Sequence, residues 1–287
     1  MKLFKKLCVL MLVFLLSGCT VNKNNMENIN IYTTTYPINF LINELYGKHS
    51  KIYSIYPTGV NLDEYELSNR KIEEYSKSDL FVFNSLDKDR DYAVKMINLN
   101  DDLKAIDVST GMKYDYAIEE LWLNPNNYLM IADNIREGLA EYIDNPYLVE
   151  EINNNFESLE YDISKLDADL TETIINANYD TIVVDNDMFK YLEKRNLKVI
   201  SLEENDNLTA NRVEEVEKLI TDGKIKYIYS NNNESNATVN GLLSKHGIEL
   251  IKLNTMHSID GGITNSNDDY ISIMTNNINL LKRELYK

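Results

Sequence analysis

From Pro146 to Ala177 the chain carries no glycine, and no proline after the first residue, while apolar side chains recur at Leu148, Ile152, Phe156, Leu159, Ile163, Leu166, Leu170 and Ile174. Intervals of three and four residues throughout describe one stripe of a single α-helix. Some 30 residues at 1.5 Å each would make a rod roughly 45 Å long, enough to cross a two-lobed molecule. A stripe of that length has to be covered. Either the segments on both sides of it in sequence do so, or a second copy does in a coiled coil, whose heptad the spacing approaches. The flanking segments favour the first solution and a monomer.

Those flanks alternate short apolar runs with helical patterns, the signature of βα units. The first half predicts strands over 29–34, 52–56, 80–84 and 105–108, with helices over 37–46, 69–75 and 92–97. Gly47 is placed to stop the first helix. The second half repeats the plan, with strands over 181–184, 198–202, 227–229 and 249–253 and helices over 188–195, 211–222, 236–246 and 270–285. Thr209 is placed as an N-cap, Asp187 as the cap of helix 188–195, and Gly223 and Gly247 as C-terminal stops. The predicted fold is therefore α/β: two similar βα-type lobes, 30–145 and 178–287, joined by one long linking helix over 146–177.

The N-terminus reads as an address. Lys2, Lys5 and Lys6 precede ten apolar residues, too few to span a bilayer, and Leu16-Ser17-Gly18-Cys19 follows. This is a lipoprotein signal over 1–18, with Cys19 the expected site of lipidation and 19–29 a tether. Cys8 would leave with the signal, so no internal disulfide is possible in the mature chain. The formal charge of −17, which becomes −20 once the three lysines are removed, excludes nucleic acid as a natural partner and suits cation handling. The expected location is extracytoplasmic, on the membrane through the lipid.

Four polar segments follow predicted strands, where open α/β lobes bind ligands. The first, residues 59–68, resembles the Gly-x-x-Pro-His-x-Tyr-Glu-Pro-Ser segment of the substrate-binding lipoproteins of zinc and manganese ABC transporters. Gly59, Tyr65, Glu66 and Ser68 match; Asp63 stands for the metal-binding histidine, and Leu62 and Leu67 for the prolines. The second resembles Pro-His-x-Trp-Leu-Asp-Pro through Trp122, Leu123 and Pro125, with Glu120 at the histidine and Asn124 at the aspartate. In the third, Asn186 falls three residues before Phe189, where the family carries histidine or glutamate. In the fourth, His257 replaces the aspartate before Ser258. Residues 269–280 resemble the family's terminal helix, so the resemblance covers nearly the whole mature chain.

The resemblance implies a periplasmic-binding-protein-like receptor that captures a divalent cation (Mn, Fe or Zn) between its lobes and passes it to an ABC permease and its ATPase. The expected metal ligands are Asp63, Glu120, Asn186 and His257, with Glu64, Glu66, Glu119 and Asp187 expected to support them from behind. Three oxygen donors and one nitrogen favour Mn²⁺ or Fe²⁺ over Zn²⁺ on softness grounds. Since every aligned ligand has changed type, another small polar ligand also fits the residues. So does a surface lipoprotein of the same fold that binds no metal and serves adhesion or protein interaction. No catalytic motif is present, neither a nucleophile elbow, a zinc-protease helix, a phosphate loop nor a dinucleotide fingerprint, and no enzymatic activity is expected. His49 and His246, at predicted helix ends, read as favourable last-turn charges.

Overall fold

The computed structural model describes residues 26–205, 207–231, 235–257 and 269–287; the expected signal, Cys19 and most of the tether lie outside the described residues. Among the described residues no helix is long and apolar enough to cross a membrane. The first half contains β1 (Ile29–Thr33), α1 (Tyr36–Tyr46), β2 (Ser50–Ser54), α2 (Asn69–Tyr75), β3 (Leu80–Phe83), α3 (Asp89–Leu99), β4 (Lys104–Asp107), the single turn α4 (Glu120–Leu123) and α5 (Pro125–Tyr142). Then comes α6 (Pro146–Ile175), followed by β5 (Thr181–Val184), β6 (Lys198–Ser201), α7 (Ala210–Thr221), β7 (Tyr227–Ser230), α8 (Ala237–His246), β8 (Glu249–Lys252) and α9 (Tyr270–Leu285).

Each half forms one all-parallel sheet, in the orders β2-β1-β3-β4 and β6-β5-β7-β8. The alternation of strand side chains divides the core. In β3, Leu80 and Val82 join the inner apolar cluster while Phe81 and Phe83 join an outer one; in β5, Ile182 and Val184 point inward and Val183 outward. Being buried on both faces, such strands read as continuous apolar runs. The inner cluster draws on both sheets and on the α6 stripe, where Leu148, Ile152, Leu159, Ile163, Leu166, Leu170 and Ile174 are all buried. Asn145 and Pro146 start α6, the Asn145 side chain accepting from the Tyr147 amide. His49 is tied to Glu151 of α6 at 2.9 Å, so the charge expected at a helix end serves as a tertiary link.

Thr209 caps α7 as predicted, and Gly223 and Gly247 adopt positive φ after α7 and α8. Gly47 caps the C-terminus of α1 as expected, but in a right-handed conformation that opens a short 3₁₀ turn over Gly47–His49. The helix expected over 188–195 is a 3₁₀ segment, Asp187–Arg195, and its cap is Asn186 rather than Asp187. The Asn186 side-chain Oδ1 accepts from the Met188 amide, and Glu203 accepts from the Asp187 amide.

Two helical glycines illustrate how packing decides. A Cβ on Gly138 of α5 would come within 2.8–2.9 Å of three Ile106 side-chain carbons on β4, whereas one on Gly241 of α8 would meet nothing within 4 Å. Gly241→Ala should therefore stabilise the protein by about 0.5–1 kcal/mol through helix propensity. Gly138→Ala should destabilise it, overpacking of about 1–3 kcal/mol outweighing the same gain. Denaturant unfolding of the two variants checks the opposite signs.

Candidate metal centre

Both sheet orders reverse direction at a middle strand, between β1 and β3 and between β5 and β7, and ligands in open α/β sheets sit beyond the carboxyl ends at such points. The two halves meet there through buried aromatic residues. Trp122 Nε1 donates to the Thr255 carbonyl at 2.8 Å, the Tyr270 hydroxyl donates to the Trp122 carbonyl at 2.7 Å, and the Tyr128 and Tyr270 rings stack at 3.8 Å. These contacts fix the turn that carries α4 against the segment that follows β8. His257 stands at the end of that segment, after Met256, which is buried with φ 56. Left-handed backbone at a bulky buried residue is uncommon and gathers at functional sites.

His257 is the centre of the cluster. Its Nε2 lies 3.4 Å from Asp63 Oδ1 and its Nδ1 lies 2.8 Å from Glu119 Oε1. Neither buried ring nitrogen completes an aligned hydrogen bond, so the contacts are electrostatic proximity rather than satisfied bonding. Burial works against the imidazolium, but Glu119, Asp63 and then Asp87 outweigh it and raise the His257 pKa. The Asp63 side chain is 80% exposed and that of Glu119 only 8%, which makes the first a carboxylate at the cleft mouth and the second one behind the ring.

Of the four expected ligands, the structure brings Asp63 and His257 together. Glu120 faces away: it is buried, with Oε1 accepting from Lys194 Nζ at 2.8 Å and Oε2 accepting from the Asp115 amide at 3.0 Å. In a single helical turn adjacent residues point about 100° apart, so when Glu120 is turned to Lys194 it is Glu119 that reaches His257. Asn186 spends its side chain locally, donating to Asp185 Oδ1 while it caps the 3₁₀ segment. Of the residues expected to support the ligands, Glu119 is in the cluster and Asp187 pairs with Lys190 at 3.9 Å. Asp87, whose charge acts on His257, was not among the residues singled out by sequence. It follows the carboxyl end of β3 at the reversal point, and that position is the signal that could have found it.

Among the described residues no three histidine, cysteine or carboxylate side chains already converge as a metal cage. The Asp63–His257 spacing nevertheless fits shared coordination, since two donors about 2.1 Å from one ion at the tetrahedral angle lie about 3.4 Å apart. Glu119 behind Nδ1 occupies the place of the carboxylate that orients a ligating imidazole.

A two-lobed α/β binding protein with an acidic cleft built around one histidine is the class that this fold and site define. The chain matches the family model for ZnuA, the periplasmic component A of the zinc-uptake complex, over residues 31–284, and it belongs to that family. The zinc-binding lipoprotein AdcA of Streptococcus pneumoniae is 25% identical over 308 residues, covering 98% of this chain and 60% of that protein. This chain thus spans about 60% of the length of that relative. The iron-binding protein YfeA of Yersinia pestis is 25% identical over 194 residues, 63% of this chain and 62% of YfeA. The crystal structure of the Zn(II)-bound ZnuA-like domain of AdcA superposes with a TM-score of 0.73 at 23% identity, covering 91% of this chain and all of that domain.

A second acidic group lies beneath the site. Asp89 is fully buried and accepts from the Tyr56 hydroxyl, and burial lifts its pKa from 3.8 to about 6 despite that hydrogen bond. The native state thus holds the Asp89 proton more tightly than the unfolded chain does. Its contribution to stability is complete below about pH 4 and is lost as pH rises through about 6. Asp89→Asn, which cannot ionise, should gain stability relative to the parent between pH 4 and pH 7.5 by on the order of 3 kcal/mol. Paired urea titrations at the two pH values check the sign.

Proposed function

We propose that the protein captures a divalent cation at the cleft and delivers it to an ABC permease and its ATPase, held at the membrane through lipidated Cys19. The observation that carries this is His257, a half-buried imidazole whose two buried ring nitrogens have carboxylates beside them and an aligned bond to neither. A cation between Nε2 and Asp63 would relieve that arrangement, and Glu119 would then hold Nδ1. Family membership supports the transport role, and zinc and iron are what AdcA and YfeA are named for binding.

The favoured cargo is Mn²⁺ or Fe²⁺ over Zn²⁺. One imidazole with carboxylate oxygens is a harder donor set than several histidines, and the exposed Asp63 leaves room for the waters that octahedral ions keep. At equal geometry the Irving–Williams order runs the other way against manganese and iron, so the preference rests on donors and open positions. Asn186 and Glu120 could join only by giving up the partners they hold in this conformation.

Metal-stripped protein unfolded thermally with Zn²⁺, Fe²⁺, Mn²⁺ or Ca²⁺ added singly provides the test. A cation at 100 times its dissociation constant should stabilise by about 2.7 kcal/mol, a rise of a few degrees. His257→Ala should abolish the rise and Asp63→Ala should reduce it, while Glu120→Ala should lower stability but leave the rise in place. No rise with any cation, or a full rise in His257→Ala, would overturn the reading.

A further inference from the structure

The loop that presents Asp63 is secured in an uneven way. Its ends are anchored by apolar burial of Leu62 and Leu67, and the Leu67 amide donates to the Tyr92 hydroxyl. Between them the Asp63 amide donates to Asn61 Oδ1, and the Tyr65 amide donates to the Asn61 carbonyl. The carbonyl oxygens on the inner side turn toward a single group, the Lys88 ammonium. Nζ donates to the carbonyls of Leu62 and Tyr65, the latter at 2.9 Å, and reaches that of Asp63 at 3.5 Å. It also lies 6.0 Å from the centroid of the Tyr56 ring. An ammonium has three protons to donate and no acceptor, so three convergent carbonyls are the partners it can satisfy.

Lys88 sits between two residues already met. Asp87 contributes to the field at His257, and Asp89 is the buried carboxyl bonded to Tyr56. The three-residue entry into α3 therefore adds charge near the histidine through Asp87, holds the Asp63 loop through Lys88 and bonds Tyr56, just after β2, through Asp89. The strongest connection is the one to the loop, because it bears on the exposed Asp63 carboxylate that faces His257.

We propose that Lys88 is a positioning residue of the cation site, its ammonium holding the 62–65 turn so that the Asp63 carboxylate is presented to His257. The proposal rests on the cation reading above. Two consequences of removing Lys88 have opposite signs. Loss of a positive charge beside the cleft would by itself tighten cation binding, through weaker repulsion. Loss of the turn's geometry weakens it, and here geometry dominates, as supporting groups around metal ligands generally carry about 10–100-fold in affinity.

Lys88→Met and Lys88→Arg, made in the whole chain, separate these effects. Calorimetry with Mn²⁺ and Zn²⁺ is expected to show affinity in Lys88→Met at least about tenfold below the parent, with Lys88→Arg largely restoring it. Hydrogen exchange on the metal-free proteins should quicken at the 61–66 amides in Lys88→Met, with exchange in β1, β3 and α6 unchanged. Unchanged or tighter binding in Lys88→Met would overturn the proposal, as would unaltered loop exchange. If the parent itself binds neither ion, the cation reading fails, and the exchange measurement alone decides whether Lys88 fixes the loop.

Discussion

The structure depends on the burial of one side of α6. Its apolar stripe is covered by α1 and α5 of the first half and by α9 of the second, and these helices join it to the inner faces of both sheets in one apolar cluster, so the two lobes share one core layer instead of each closing its own. Fully burying a leucine or isoleucine contributes about 1.5–3 kcal/mol, and the stripe supplies such residues from one end of the helix to the other. Separating the lobes by a wide hinge would uncover it. The polar contacts follow the same design, with Asn155 donating to the Leu45 carbonyl on one side and the Tyr286 hydroxyl donating to the Thr173 carbonyl on the other. A two-lobed protein of this build yields in its loops more readily than between its lobes.

With the lobes fixed, the cleft is shaped by charges held on short tethers. Lys194 and Arg195, at the end of the 3₁₀ segment, cross to the other half: Lys194 meets Glu120 and Asp115, and Arg195 meets Asp167 and Thr171 of α6 and, at 3.5 Å, Asn124. These cations pair with carboxylates of the other half and of α6. Glu120 is the clearest example, since a buried carboxylate without Lys194 would carry an uncompensated charge. The negative groups left over, Asp63, Glu119 and Asp87, are the ones whose charges act on His257. The charge of the cleft is thus set as much by which acids are paired with cations as by which acids are present.

Much of the fold was legible along the chain. All eight strands appear within a residue or two of their predicted positions, because parallel strands buried on both faces leave compact apolar runs between turn residues. The long helix was readable from its stripe and from the lack of any breaker. The site was legible only in part. Asp63 and His257 follow strand ends and resemble family ligands in position, and they do meet. Glu119 and Glu120 are adjacent acids in a single turn, and nothing local tells which one the turn aims into the cleft. Likewise Asn186 and Asp187 are both good capping residues, and the cap is Asn186 because its backbone is extended while Asp187 already lies inside the 3₁₀ segment, where Glu203 accepts from its amide.

What the sequence determined by itself is therefore the periodic part: two βα lobes, the helix between them, the strand-end loops and the family to which they belong. Periodicity is a property of neighbours three, four or two residues apart, and it survives without knowledge of the rest. The tertiary structure decided which side chains face one another. Lys194 is 74 residues from Glu120 and Lys88 is 26 from Leu62, and only the packed fold brings those partners within bonding distance. Ion pairing and coordination fall off over a few ångströms, so a partner's identity is fixed by position in space, which the order of residues encodes only through the whole fold.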